Sequence, residues 1–223
     1  MKVTTDGCLF GAWAADELNS ERLEIKNVLD IGTGTGLLPL MIAQKNNTIN
    51  IDAIEIDEKA YQQATENILA SPWKENIYTL NGDICNFSSR KKYDAIISNP
   101  PFYENELQSP DSLKNKAHHS SMLTLQQLFS ITFNLLSDKG SFFFLLPYKR
   151  NEEADKLLSA NNLFIREKVL VKQSQQHSYF RVLIKGSKQE IDSIPEREIA
   201  ICTTPPHYSH EFISLLKDYY LHL

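Results

Sequence analysis

Short apolar runs alternate with amphipathic stretches along most of the chain. The apolar runs predict strands at 27–31, 49–57, 76–80, 93–98, 141–146, 163–171 and 179–185. Apolar residues spaced three and four apart predict helices at 37–44, 58–69, 124–136 and 152–160. Strands that alternate with helices indicate an α/β fold. We therefore expect a mostly parallel, seven-stranded sheet with an antiparallel edge hairpin and helices on both faces.

The two ends of the chain depart from this alternation. Gly7 and Gly11 interrupt the first segment, so we expect a turn there and a short helix beginning near Ala12. The last segment combines a candidate edge strand at 198–202 with a helical apolar stripe from His210 onward. No repeat or linker divides the chain. We predict a single domain spanning 1–223, with 1–23 a lid over a ligand and 196–223 a docking tail.

Composition adds limits on the class of protein. The 223 residues carry a formal net charge of −5. Because proteins that serve as nucleic-acid-binding scaffolds are more often basic, this charge argues mildly against such a role, but it does not exclude a nucleic-acid substrate. No apolar run is long enough to cross a bilayer, and no secretion signal is visible. Cys8, Cys85 and Cys202 lack metal-ligand spacing and predict free thiols. We expect a cytoplasmic monomer that binds neither a membrane nor a metal.

A glycine-rich turn follows the first predicted strand. Gly32, Thr33, Gly34 and Gly36 lie between that strand and a helix, where the backbone can approach a ligand closely. A dinucleotide fingerprint needs glycine at position 37, and Leu37 stands there instead. The pattern is D-x-G-x-G-x-G headed by Asp30, and an acidic residue there suits a cationic ligand better than a pyrophosphate.

Other polar residues follow the next strands and the N-terminus. Glu55 stands close to the usual offset, about 20 residues, at which a carboxylate binds ribose hydroxyls. Asp83 follows the third strand and can accept a hydrogen bond from an exocyclic amine, or it is an ordinary turn aspartate. Thr5 and Asp6 form a simple turn or contact a bound cofactor.

The fourth predicted strand ends in Asn99, Pro100, Pro101 and Phe102. Two prolines end the strand ladder, and a short amide side chain beside an aromatic ring can clamp a planar amine. A proline-rich turn without function is the alternative. In a sheet of order 3-2-1-4-5 the first and fourth strands are neighbours, so the glycine turn and Asn99 should flank one crevice.

These residues resemble class I S-adenosylmethionine-dependent methyltransferases of the N6-adenine type. Within that group the chain is similar to the bacterial tRNA1(Val) (adenine(37)-N6)-methyltransferase family. The resemblance rests on KVTTDGCLFGAWA, VLDIGTGTGLLPLMIAQ, AIEID, NGDI, ISNPPFY and HEFISLLKDYYLHL. It implies a Rossmann-like class I methyltransferase fold, with S-adenosylmethionine as cofactor and S-adenosylhomocysteine as product. It also implies a tRNA substrate, methylated at N6 of the adenine next to the anticodon.

The resemblance assigns roles to the site residues. Residues of the cofactor pocket are Thr5, Asp6, Asp30, Gly32, Thr33, Gly34, Gly36, Glu55 and Asp83. Among them, Asp30 and the glycines surround the methionine part, Glu55 takes the ribose hydroxyls and Asp83 the adenine amine. Residues of the catalytic motif are Asn99, Pro100, Pro101 and Phe102. The Asn99 side chain and the Pro100 carbonyl accept the two N6 hydrogens, and Phe102 or Tyr103 stacks on the base.

Two alternatives stay open: a protein-glutamine N5-methyltransferase and a catalytically inactive S-adenosylmethionine-binding module. A DNA-adenine methyltransferase is disfavoured because no target-recognition domain is visible. Family members carry residues ahead of the KVTTDG stretch, whereas Met1 alone precedes it here. We therefore expect upstream residues to be missing, which would remove one wall of the cofactor pocket.

Overall fold

The computed structural model describes residues 3–20, 25–100, 123–204 and 207–223. The strands are β1 (Asn27–Ile31), β2 (Asn50–Glu55), β3 (Ile77–Asn81), β4 (Tyr93–Ser98), β5 (Leu136–Pro147), β6 (Phe164–Ser174), β7 (Tyr179–Ser187), β8 (Glu196–Thr204) and β9 (His207–Tyr208). The α-helices are α1 (Thr5–Ser20), α2 (Leu37–Lys45), α3 (Glu58–Leu69), α4 (Leu125–Leu135), α5 (Asn151–Ala160) and α6 (His210–Leu216).

These strands form one sheet in the order β3-β2-β1-β4-β5-β7-β6-β8-β9. Strands β1 to β5 are parallel to one another, and β1 lies between β2 and β4. The predicted α/β architecture and the order 3-2-1-4-5 are confirmed. Successive strands are added to one side of β1 up to β3 and to its other side from β4 onward, so the carboxyl ends of β1 and β4 border a crevice at this switch point.

The predicted count of seven strands and the edge position of the hairpin are wrong. The described part of the sheet has nine strands, and β7 lies between β5 and β6, antiparallel to both. Strand β8 pairs parallel with β6, and β9 covers the far side of β8. Ile199 and Ile201 on β8 are buried, so this strand contributes to the core and not merely to the rim of the sheet.

Helices cover both faces of the sheet, as predicted. Side chains alternate along each strand, so Val28 of β1 joins the cluster formed with α1, α2, α3 and α6. Leu29 and Ile31 face the opposite cluster, formed with α4 and α5. Asp30 follows the parity of Val28 and therefore lies on the side of the sheet that α1 and α2 cover.

Helix α1 differs from the turn and short helix predicted for this segment. It runs unbroken from Thr5 through Gly7 and Gly11. A Cβ on Gly11 would lie 2.5 Å from Sδ of Met41 on α2, so this glycine lets two helices pack closely. Phe10 and Trp13 are almost fully buried on α1. Tertiary packing therefore outweighs the low helix propensity of the two glycines.

Two further observations concern the described ranges. No helix in them is long and apolar enough to span a bilayer. No group of three or more histidine, cysteine, aspartate or glutamate side chains in them is arranged to hold a metal ion.

Candidate functional site

The glycine turn between β1 and α2 is held in a backbone shape that favours glycine. Gly32, Gly34 and Gly36 have φ angles of 74°, 61° and 82°, in the left-handed region. The N–H groups of Gly32 and Thr33 donate to the carbonyl of Ile54 over 2.9 and 3.1 Å. These bonds tie the turn to the end of β2 and fix its position at the carboxyl edge of the sheet.

Asp30 carries a buried carboxylate directly before this turn. The residue is fully buried, and neither carboxylate oxygen accepts a hydrogen bond from the described residues. Burial raises the pKa of Asp30 to about 7; the nearby Thr33 hydroxyl opposes that shift, and the charge of Glu55 adds to it. A buried carboxylate without partners is costly. The site therefore favours a ligand that brings positive charge or hydrogen-bond donors.

The described residues leave open space beside the turn. A Cβ added to Gly32 would meet none of their atoms within 4 Å, and the same holds for Gly82 after β3. Gly36 differs, because a Cβ there would lie 3.3 Å from Ile68 Cδ1 on α3. Gly36 therefore serves the packing of α2 against α3, whereas Gly32 borders a space that a ligand can fill.

Two further carboxylates stand at the ends of β2 and β3. Glu55 accepts the N–H groups of Gly34 and Asp57 over 2.8 and 2.9 Å, one on each oxygen. Asp83 accepts the N–H of Cys85 over 2.9 Å and the side-chain amide of Asn86 over 3.2 Å. Each carboxylate oxygen retains a further lone pair, so both residues can still accept hydrogen bonds from a ligand.

Asn99 follows β4 next to the glycine turn. Ser98 pairs with Ile31 in the sheet register, and its Oγ donates to the Ile31 carbonyl over 2.7 Å. The segments that follow these two strands therefore leave the sheet side by side: β1 continues into Gly32, and β4 continues into Asn99. Pro100 is buried. Pro101 and Phe102 of the predicted motif lie outside the described residues, as does Tyr103.

The first turn of α1 brings the predicted N-terminal residues to the same edge. A Cβ on Gly7 would lie 3.7 Å from Nδ2 of Asn99 and 3.7 Å from Cδ2 of Leu37. Thr5 and Asp6 begin this helix, and Arg181 on β7 donates from Nε to Asp6 Oδ2 over 2.7 Å. Sequence reasoning missed Arg181, because it lies 175 residues from Asp6 and no local pattern marks it.

The five parallel strands, the glycine turn and the crevice beside it define the class I S-adenosylmethionine-dependent methyltransferase fold. A predicted O-methyltransferase from Agrobacterium tumefaciens has a similar structure, with a TM-score of 0.66, 12% identity and coverage of 95% of each chain. A putative class I S-adenosylmethionine-dependent methyltransferase from Listeria monocytogenes matches with a TM-score of 0.65 and 13% identity, covering 87% of this chain and 64% of the other.

Sequence comparison narrows this class to a family. Residues 14–160 match the model of the methyltransferase small domain. The tRNA1(Val) (adenine(37)-N6)-methyltransferase of Christiangramia forsetii is 35% identical over 100% of this chain and 92% of the relative. The enzymes of the same name from Dyadobacter fermentans and Pseudoalteromonas translucida are 37% and 38% identical, over 99% of this chain and 91% and 92% of theirs. The chain belongs to the tRNA1(Val) (adenine(37)-N6)-methyltransferase family.

Proposed function

We propose that this chain transfers the methyl group of S-adenosylmethionine to the N6 amine of an adenine in tRNA, at the position next to the anticodon of a valine tRNA. One observation carries the proposal: a buried carboxylate that accepts no hydrogen bond from the described residues lies beside an open glycine turn, next to the strand end that leads into Asn99. The family to which the chain belongs supports both the cofactor and the substrate.

The described residues fit S-adenosylmethionine, which supplies a methyl group made electrophilic by a sulfonium centre. Neither carboxylate oxygen of Asp30 accepts a hydrogen bond from the described residues, so this acid can still bind a positively charged ligand. The turn at Gly32 leaves room for the methionine part of the molecule. In this proposal, Glu55 accepts hydrogen bonds from ribose hydroxyls and Asp83 accepts one from the adenine amine, because each oxygen keeps a free lone pair.

Asn99 and Pro100 would bind the acceptor amine. The N6 lone pair of adenine is delocalised into the ring and is a poor nucleophile. Two acceptors, the Asn99 side-chain oxygen and the Pro100 carbonyl, hold the two N6 hydrogens and favour a pyramidal nitrogen. This interaction strengthens as the nitrogen gains positive charge during attack, so it lowers the barrier. The protonated product amine is strongly acidic, so no general base is needed before attack.

The acceptor base must leave its stack to reach this pocket. Unstacking is inexpensive in a single-stranded anticodon loop, and RNA-modifying enzymes commonly act on such loops. The stacking role of Phe102 stays a prediction. So do a monomeric state and a cytoplasmic location; the location is supported by Cys8, Cys85 and Cys202, which form no disulfide in the described chain.

The proposal is tested with purified protein, labelled S-adenosylmethionine and unmodified valine tRNA. We expect label in the tRNA, at N6 of the loop adenine. A parallel reaction offers a glutamine-containing protein substrate. Label that enters protein alone would contradict the proposal and favour a protein-glutamine N5-methyltransferase. Cofactor binding without transfer to either substrate would favour an inactive binding module.

A further inference from the structure

We infer that Arg181 is a positioning residue, which holds the first turn of α1 against Asn99 and the glycine turn through its ion pair with Asp6. The inference rests on the proposed function, because the residues that Arg181 positions are those of the proposed methyl-transfer site. Arg181 lies on β7, outside every segment in which the sequence predicts site residues.

The contact between Arg181 and Asp6 is short and largely shielded. Nε of Arg181 lies 2.7 Å from Oδ2 of Asp6, whose side chain is 14% exposed. The other oxygen of Asp6 accepts the N–H of Gly7 over 3.1 Å. Burial would raise the pKa of Asp6, but hydrogen bonds from Thr4, Arg181 and Gly7 and the Arg181 charge hold it below its ordinary value. Asp6 is therefore a charged link between helix and sheet.

The helical turn held by this link lies close to both walls of the crevice. Gly7 directly follows Asp6, and a Cβ added to it would lie 3.7 Å from Nδ2 of Asn99 and 3.7 Å from Cδ2 of Leu37. Leu37 begins α2 just after the glycine turn. A shift of the first turn of α1 therefore alters the space around Asn99 and the glycine turn together, which are the acceptor side and the cofactor side of the proposed site.

The same two elements contain a matched pair that lies away from the crevice. Lys185 of β7 binds Glu17 of α1 over 3.0 Å. Arg181 and Lys185 project on the same face of β7, because they are an even number of residues apart. Glu17 lies about 16 Å from Asp6 along the axis of α1 at 1.5 Å per residue. Both ion pairs dock α1 on β7, and one of them lies at the crevice.

The test compares Arg181→Met with Lys185→Met in the full chain. Affinity for S-adenosylhomocysteine is measured by calorimetry, and amide hydrogen exchange is followed in residues 4–10. We expect Arg181→Met to weaken binding by about tenfold and to speed exchange in this segment, as loss of a charge-assisted hydrogen bond predicts. Lys185→Met should leave the affinity for S-adenosylhomocysteine and the rate of amide exchange within about twofold of wild type. Equal effects of the two variants would overturn the inference.

Two further variants separate positioning from direct contact. Arg181→Lys should recover part of the lost affinity, because an ammonium group still pairs with Asp6. In the set Asp6→Asn, Arg181→Met and the double variant, the double variant should bind no more weakly than either single variant. Additive losses would contradict the inference and show Asp6 acting on the cofactor without Arg181. Binding of S-adenosylhomocysteine is compared with wild type and requires no methyl acceptor. Absence of tRNA methylation would therefore count against the proposed function and not against the role of Arg181.

Discussion

Aspartates at the two ends of strands β1, β2 and β4 differ in their hydrogen-bond partners. Toward the amino end, Asp94 accepts the N–H groups of Lys26 and Asn27, both over 3.0 Å. Asp52 accepts the hydroxyl of Tyr93 over 2.7 Å and the ammonium of Lys91 over 3.1 Å. At the carboxyl end, Asp30 accepts nothing from the described residues.

This difference distinguishes two roles. Asp94 and Asp52 stabilise the sheet through their hydrogen bonds, whereas we interpret Asp30 as a residue that binds a ligand. Paired carboxylates link the loop before β1 to β4, and β2 to β4, so their removal should cost stability. An unpaired buried carboxylate costs the ligand-free protein stability. Such a cost persists where a ligand completes the site, because strained or unsatisfied groups collect at functional sites.

The largest expected effect comes from Asp30→Asn in the ligand-free protein. Burial raises the pKa of Asp30 to about 7 in the folded protein, from 3.8 in an ordinary aspartate. The native state therefore binds the extra proton between these values, and the free energy of unfolding falls as pH rises through them, by about 4 kcal/mol. This stability is fully present below pH 4 and is lost above pH 7.

Asp30→Asn removes this titration. The variant should gain stability over wild type at pH 8 and lose most of that advantage at pH 4, in urea unfolding without ligand. Affinity for S-adenosylmethionine should fall in the same variant, because the counter-charge is gone. Identical pH dependence of unfolding in the two proteins would show that Asp30 is not a buried, unpaired acid, and the comparison between the two ends would fail.

Asn99→Ala should lower kcat by at least about a hundredfold, roughly 3 kcal/mol, since one acceptor of the transition-state charge is lost. Affinity for S-adenosylhomocysteine should stay within a few-fold of wild type. Single-turnover methylation of tRNA and calorimetry measure the two quantities. Equal loss of both would place Asn99 in the cofactor pocket and not at the acceptor amine.

Asp94→Ala tests the opposite end of the same strands. Two backbone N–H groups lose their acceptor, so the free energy of unfolding should fall by about 2 kcal/mol. At a temperature well below unfolding, kcat should match wild type. Urea denaturation and initial rates provide the measurements. A large drop in kcat with unchanged stability would reverse the roles that we assign to the two ends.

Tyr93→Phe should have the smallest effect. It removes the hydroxyl that donates to Asp52, but Lys91 still pairs with that carboxylate. We expect a loss of about 1 kcal/mol in the free energy of unfolding and no change in kinetics. A loss as large as that of Asp94→Ala would mean that Lys91 does not compensate. Thermal unfolding of both variants in one buffer gives the comparison.

The sequence predicts the central strands well because their signals are local. Each apolar run from β1 to β4 has polar borders, and the glycine turn directly follows β1. Once the order 3-2-1-4-5 is assumed for such a sheet, these local signals are enough to place the crevice. Ion-pair partners that are distant in sequence produce no such local pattern. Arg181 lies beside Asp6 because β7 lies between β5 and β6, whereas the sequence predicts only an antiparallel hairpin at the edge of the sheet.

Helix α1 shows a second limit. Gly7 and Gly11 have low helix propensity, and the sequence alone predicts a break there. The neighbour that makes glycine suitable at position 11, Met41, comes from another element. Similarly, the acidic residues near the carboxyl ends of β1, β2 and β3 are recognisable from sequence, but the absence of a hydrogen-bond partner for Asp30 among the described residues becomes visible only in the structure.

The central claim is that the carboxyl ends of β1 and β4 form a site that methylates adenine N6 in tRNA. Mass spectrometry of valine tRNA from cells with and without this gene tests it most directly. We predict N6-methyladenosine next to the anticodon in the parent strain, its loss in the deletion strain, and its return with the wild-type gene but not with Asn99→Ala. The same modification in all four strains would contradict the claim.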